Sequence, residues 1–316
     1  MVKIAVAGGS SEVGREIIDA LVATGKHDII TLVRKPNPEH AAPGLTQVVV
    51  DYDSRKQLSE ILQGVHTVLS FMGGENMAEI QKNLIDASIS AGVKRFAPSD
   101  WATSDVSHIP WYAGKAKTRA YLTEINTPHK VLEYCLFQPG WFVDYLAVPH
   151  RTSKHMTPIA VNFDFANFRA LVVDGHLDDP LTMTLAKDLA AVVVRAVEFE
   201  GEWPIVGGIS GNRVTARQII ELGEKIRGKP FTVEKLKIED LERKEPNASW
   251  LPPLDHPSLK GVPADQMEEM KKGFWSAFLL SVAKGSWTVS NEWNQLLPDL
   301  EFTDVESFLR EWWGPA

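Results

Sequence analysis

The sequence predicts a doubly wound α/β fold, a parallel Rossmann sheet followed by a smaller, aromatic-rich C-terminal lobe. Three observations carry that expectation. Over the first half of the 316 residues, short β-branched runs alternate with amphipathic segments, and strand, helix, strand at that rhythm implies parallel strands with crossover helices on both faces. The opening strand runs straight into glycines and then into a helix-like segment. After Gly140 the rhythm loosens, and proline and aromatic residues become common.

In order, strands are expected at residues 3–7, 28–33, 47–50, 67–71, 95–98 and 130–137, each a short apolar run of the kind that lies in a sheet covered on both faces. Helices are expected around 13–24, 55–62, 80–91 and 115–124, where apolar residues recur at helical spacing. Beyond them come a helix at 185–199, a strand at 204–206, and a helix opened by Thr215, with Gln218 at capping-box spacing. The Pro-rich stretch NASWLPPLDHP then precedes a helix over 263–283, and a last helix near 303–313 has Thr303 as its expected N-cap. Trp275, Trp287, Trp293, Trp312 and Trp313 cluster in this final part and predict a small aromatic-lined lobe.

Composition narrows the function classes. With 44% hydrophobic and 23% charged residues the chain can bury a sizeable core. A formal net charge of -8 and the lack of a long Lys/Arg run argue against nucleic acid as a partner. No run approaches the roughly 20 apolar residues that cross a bilayer, so no membrane partner is expected and the cytoplasm is the expected location. Cys135 is the only cysteine and sits in a strand-like run, so it reads as an inert buried thiol. His108, His129, His150, His155 and His256 lack metal-ligand spacing, and no metal is expected. An oligomer is compatible with the sequence.

The Gly-rich segment gains meaning from its strand–turn–helix context. In AGGSSEVG, Gly8 suits the tight turn and Gly14 lets the helix pack closely against the strands, while Ser11 replaces the middle glycine. The helix start offers unpaired N–H groups to a pyrophosphate, which makes Ser10, Ser11, Glu12 and Val13 candidate cofactor contacts. The second strand ends in Arg34 and Lys35, where an NAD site would carry an acid. Two cations there predict a 2′-phosphate, hence NADP(H). After the third strand, Asp51 suits an approach to the adenine and Asp53 a helix cap. Phe71, Met72 and Gly73 leave the fourth strand where the adenine ribose is expected. The expected division is therefore an NADP-binding Rossmann domain over 1–150, its sheet completed by a strand near 204–207, and a mainly substrate-binding lobe over 151–316.

At the chemical end the usual Tyr-x-x-x-Lys is missing. Tyr112 and Lys115 miss the spacing, and Tyr52 with Lys56 comes too early in the chain. In its place stands WYAGKAKTRAYLTE, between VKRFAPSDW and YCLFQPGWFVDYL. Together with AGGSSEVG, LVRKPNP and VDGHLDDPLTMTLAKDLA, these segments resemble the NmrA-like family, close to the isoflavone reductase and phenylcoumaran benzylic ether reductase group of atypical short-chain dehydrogenases. The resemblance spans most of the chain and departs at Ser11. It implies that Lys115 is the active-site lysine, acting as acid or base or orienting the cofactor ribose, while Lys117 is solvated. It also implies that Lys115, Pro139, Gly140 and Phe142 contact the cofactor, and Ser99 joins them because it follows the fifth strand, where sheet geometry places active-site groups. Asp100, Trp101, Trp111 and Trp141 are the candidate substrate contacts, although Asp100 equally suits a cap. The function implied is NADPH-dependent reduction of a small aromatic or polycyclic metabolite, with redox-neutral isomerisation or ring formation in the same range. The other class is a cofactor-sensing regulator with a protein partner, for which Lys115 would have no use.

Overall fold

The computed structural model describes residues 1–74, 76–254 and 262–315, so His256 and the end of the Pro-rich stretch lie outside the described residues. Six strands form the main sheet: β1 (Lys3–Ala7), β2 (Asp28–Val33), β3 (Leu45–Val49), β4 (Thr67–Ser70), β5 (Arg95–Ala97) and β6 (Glu133–Tyr134). They pair in the order β3-β2-β1-β4-β5-β6, all parallel. Strand order reverses about β1, so a crevice opens outside the carboxyl ends of β1 and β4, where such sheets bind ligands. Helix α1 (Glu12–Ala23) covers one face through Ile17, Ile18 and Leu21. Helices α2 (Arg55–Ile61), α3 (Met77–Ser90) and α4 (Ala113–Ile125) cover the other, where Leu58, Leu84, Ile85 and Leu122 share a core with Val68 and Phe96. Each such aliphatic side chain taken from water stabilises the fold by about 1.5–3 kcal/mol.

The expected strand over 130–137 is two short ones. After β6 the chain changes partners: the Cys135 amide donates to the Phe96 carbonyl at 3.1 Å and the Leu136 amide to the Ile205 carbonyl at 2.8 Å. The next strand, β7 (Leu136–Gln138), therefore pairs in parallel with a strand at Val206–Gly208, two residues beyond the expected start at 204.

The remaining strands, all but the partner of β7, build a second lobe. They are β8 (Trp141–Phe142), β9 (Phe163–Asp164), β10 (Arg169–Val173), β11 (Pro180–Thr184), β12 (the Val206–Gly208 strand just described), β13 (Asn212–Thr215) and β14 (Thr232–Leu236). β12 stays paired with β7, and the others make two small sheets, β14-β10-β9 and β13-β11-β8. The helices are α5 (Ala186–Glu198), which packs beside α1, then α6 (Ala216–Arg227), α7 (Ile238–Glu242), α8 (Ala264–Ala283), α9 (Glu292–Leu296) and α10 (Val305–Trp313). Helix α6 carries the expected capping box, with Thr215 and Gln218 each bonded to the other's backbone.

Three expectations need correction. Ser54, not Asp53, caps α2, accepting from the Gln57 amide at 3.3 Å, while Asp53 only bonds back to Asp51. Asp304, not Thr303, caps α10, because the amide and hydroxyl of Thr303 are taken by the carboxylate of Asp188. Trp293 belongs to the sheet-side core and not to the second lobe. It stacks on Phe137 at 5.3 Å, which stacks on Trp101 at 5.1 Å, which stacks on Phe71 at 4.6 Å.

Candidate active site

β1 hands over to α1 through a turn that only glycine fits at its first position. Gly8 has φ +70, and a Cβ there would lie 2.7 Å from the carbonyl carbon of Phe71. Ser11 closes the turn by donating its amide to the Gly8 carbonyl at 3.0 Å, then caps α1 by accepting from the Gly14 amide at 3.2 Å. A side chain at Gly14 would meet that Ser11 oxygen at 2.7 Å. The amides of Ser10, Glu12 and Val13 have no acceptor among the described residues. Unpaired donors at a helix start suit a diphosphate, so the residues present fit a dinucleotide. The Glu12 side chain is not free for it, since its carboxylate holds the amide of Thr157 at 3.0 Å as well as that residue's hydroxyl.

Met72 is buried beside the turn, and the Phe71 ring faces the core. Gly73 lies in open space: no heavy atom comes within 4 Å of a Cβ built there. Arg34 and Lys35 are exposed at the end of β2 and enter no ion pair among the described residues. Below them the buried Tyr52 hydroxyl donates to the Leu32 carbonyl at 2.8 Å, and burial pushes this phenol up to about 12.

The chemical end is organised by the first turns of α4. Lys115 is half-buried, and its ammonium donates to the Ser99 carbonyl at 2.7 Å and lies 5.0 Å above the Tyr112 ring. Burial lowers its pKa to about 8; Arg119 pushes the same way and Asp100 opposes. Lys117 is exposed, on a different face of the helix. One helical turn beyond Lys115 sits Arg119, a residue the sequence reading passed over. Its guanidinium engages both Asp100 oxygens at 2.9–3.2 Å and donates to the carbonyls of Thr103 and Ser104 at 2.6 Å. Asp100, 2% exposed, is thereby committed to holding the loop after β5 and not to a substrate. The i, i+4 spacing of the two cations was the available signal.

The aromatic walls divide. Trp101 is a core residue, its indole N–H donating to the Ser70 carbonyl at 2.6 Å. Trp141 packs in the second-lobe core against Phe278 at 5.1 Å, and Phe142 in the sheet-side core. Trp111 is the exposed one, at 40%, and stacks on Phe274 of α8 at 4.4 Å. Pro139 is buried, and Gly140 donates its amide to the Ala102 carbonyl at 2.9 Å. Its φ is +70, and a Cβ would lie 2.3 Å from the Thr182 oxygen, so the loop after β7 is pinned between the β5 loop and β11. Tyr112, set aside in the sequence for its spacing from Lys115, and Tyr145, which the sequence reading did not single out, stand here as well. Burial raises the phenol of Tyr112 to about 12 and also raises that of Tyr145, so both stay protonated near neutrality. The Lys115 cluster thus joins Ser99, Asp100, Tyr112 and Arg119, while Arg34 and Lys35 stand apart at the end of β2.

Among the described residues no helix is long and apolar enough to cross a membrane, and no group of three or more His, Cys, Asp and Glu is placed to hold a metal. The chain is similar to the oxidoreductase swnN of Metarhizium robertsii, 29% identical over 99% of this chain and 98% of that protein. It is also similar to the phenylcoumaran benzylic ether reductase Betv6 of Betula pendula, 24% identical over 98% of each. A solved structure of AtPrR2 with NADP+ and (+)pinoresinol superposes with a TM-score of 0.68 over 98% of both chains at 17% identity, which establishes the shared fold. The model of the NmrA-like family matches residues 2–309, and with the phosphate turn, the switch-point crevice and the α4 lysine all in place, the chain belongs to that family.

Proposed function

We propose that the chain is an NADP(H)-dependent oxidoreductase that reduces a small aromatic or polycyclic metabolite, in secondary metabolism, with isomerisation or ring formation within reach of the same site. The observation that carries this reading is Lys115, a half-buried ammonium held by the Ser99 carbonyl, with its pKa drawn down to about 8. Bound NADPH would supply the hydride. The chain's own part is to orient and to manage a proton. Ser99 occupies one of the three donors of Lys115, which leaves two for a substrate oxygen or a ribose hydroxyl. With a pKa about one unit above neutrality the ammonium is mostly charged yet able to release its proton, as general acid–base work requires. The protonated phenol of Tyr112 lies beside it. Trp111 and Phe274, stacked and partly open to solvent, offer a planar apolar surface to an aromatic ring. In this reading residues 1–150 hold the cofactor and 151–316 chiefly shape the substrate side. The names of the relatives, an oxidoreductase and a benzylic ether reductase, accord with it.

The test is loss of NADPH absorbance against a panel of aromatic ketones, quinones and benzylic ethers, with Lys115→Ala beside the wild type. Turnover of one class that Lys115→Ala abolishes supports the proposal. Tight NADP(H) binding with no turnover of any class points instead to a cofactor sensor.

A further inference from the structure

The crossover from β2 to β3 contains no α-helix; it carries only the short turn Pro38–His40. A parallel crossover usually brings a helix that covers the sheet. Here no helix from that crossover joins α1 on its face of the sheet, and a groove of about 200 Å³ remains. Gly9 and Ser10 of the phosphate turn form one end of it, and Thr31 and Val33 of β2 form its floor. Arg15 of α1 lines one wall, and His40 and Lys154 line others. Lys154 reaches across from the second lobe and is held by Asp19 at 2.6 Å, with His155 on the same carboxylate at 2.9 Å. Asp19 is therefore already neutralised, and the remaining acid, Glu39, is exposed. Arg15 enters no ion pair among the described residues, though it lines a cavity that opens beside the phosphate turn.

A dinucleotide lying along this turn sets its adenosine ribose between the phosphate loop and the end of β2, so the 2′ position is where the groove meets Ser10. We infer that Arg15 is a specificity-determining residue for NADP(H), holding the 2′-phosphate from the helix side with Ser10, while Arg34 and Lys35 approach from the strand end. This rests on the NADP(H) reading above. A guanidinium presents a planar fork that matches two phosphate oxygens, and its charge is wasted on the 2′-hydroxyl of NAD(H). The consequence is a discrimination that does not depend on the nicotinamide or on any substrate.

Calorimetric titration of 2′,5′-ADP and 5′-ADP separates the two ideas, because these probes differ only in the 2′-phosphate and need no turnover. The wild type is expected to bind 2′,5′-ADP at least about 10-fold more tightly than 5′-ADP. Arg15→Ala should weaken 2′,5′-ADP by roughly 10- to 100-fold and 5′-ADP by less than about 2-fold, with Arg15→Lys between. If Arg15→Ala keeps the wild-type ratio, or weakens both probes equally, the assignment of Arg15 is overturned while the NADP(H) reading stands. A wild type that does not distinguish the probes would overturn the NADP(H) reading and this inference together.

Discussion

The ammonium of Lys115 and the carbonyl of Ser99 are 2.7 Å apart, which ties the first turn of α4 to the residue that leaves the β5 end of the sheet. This contact fixes where the charge stands while leaving it donors to spare. It also separates two roles on one helix face: Lys115 keeps donors free for the proposed chemistry, and Arg119 holds the loop.

Lys115→Met is expected to lower turnover by about 10²- to 10⁴-fold, the range of a general acid–base group, with little change in melting temperature. Lys117→Ala, on an exposed face, serves as the control. Single-turnover rates and melting curves for both variants check this, and a Lys115→Met protein that turns over normally would remove the lysine from the mechanism.

The pH dependence follows from the same residue. Acting as an acid, Lys115 should give turnover that falls as pH rises through about 8, and Lys115→Met should lack that limb. Its effect on stability has the opposite sense. The folded pKa lies below the ordinary 10.5, so the folded protein is penalised for carrying the proton below about 8 and relieved between about 8 and 10.5. The wild type should therefore gain stability relative to Lys115→Met across that window, as paired melts at pH 7 and at about pH 10 would read out.

Removing Arg119 leaves Asp100 buried without its partner. Arg119→Ala should cost about 3–5 kcal/mol in urea unfolding, as breaking a buried pair does. Adding Asp100→Asn should restore part of it, since the uncompensated charge is then gone. Equal stability of Arg119→Ala and wild type would mean that the pair does not hold the loop.

At the phosphate turn, Gly8→Val should abolish dinucleotide binding, because it needs a positive φ and its Cβ would overlap the backbone of Phe71. Ser11→Gly should be tolerated, with a loss of only a few tenths of a kcal/mol, as glycine is itself an acceptable N-cap. Titration of NADPH into both folded variants decides it.

The sheet was legible because parallel strands buried on both faces read as unbroken apolar runs, as KIAVA and DIITLV do. The change of partner at Cys135 was not, since periodicity says that a strand is present but not which neighbour takes its amides. Neighbouring cap residues were exchanged for a similar reason: Thr303 and Asp304 both suit an N-cap, and only the contact with Asp188 decides between them. Around the site, the phosphate turn could be read from local order, whereas Lys115 was singled out only through the resemblance of its segment to a known family. The fates of Trp101 and Trp141 could not, because an aromatic side chain fills core and cleft equally well. Asp100 was visible as a candidate, but its commitment to Arg119 required the fold.

The column of rings from Phe71 through Trp101 and Phe137 to Trp293 has a bearing on how the chain is made. Its first three members are synthesised with the sheet, and its last arrives only with α9. A nascent chain that has already assembled all six sheet strands would still carry an uncapped Phe137, an apolar face of the kind that chaperones protect. Synthesis therefore has to run as far as α9 before this part of the hydrophobic interior can close, and a ribosome that stops short of α9 would release a sticky product.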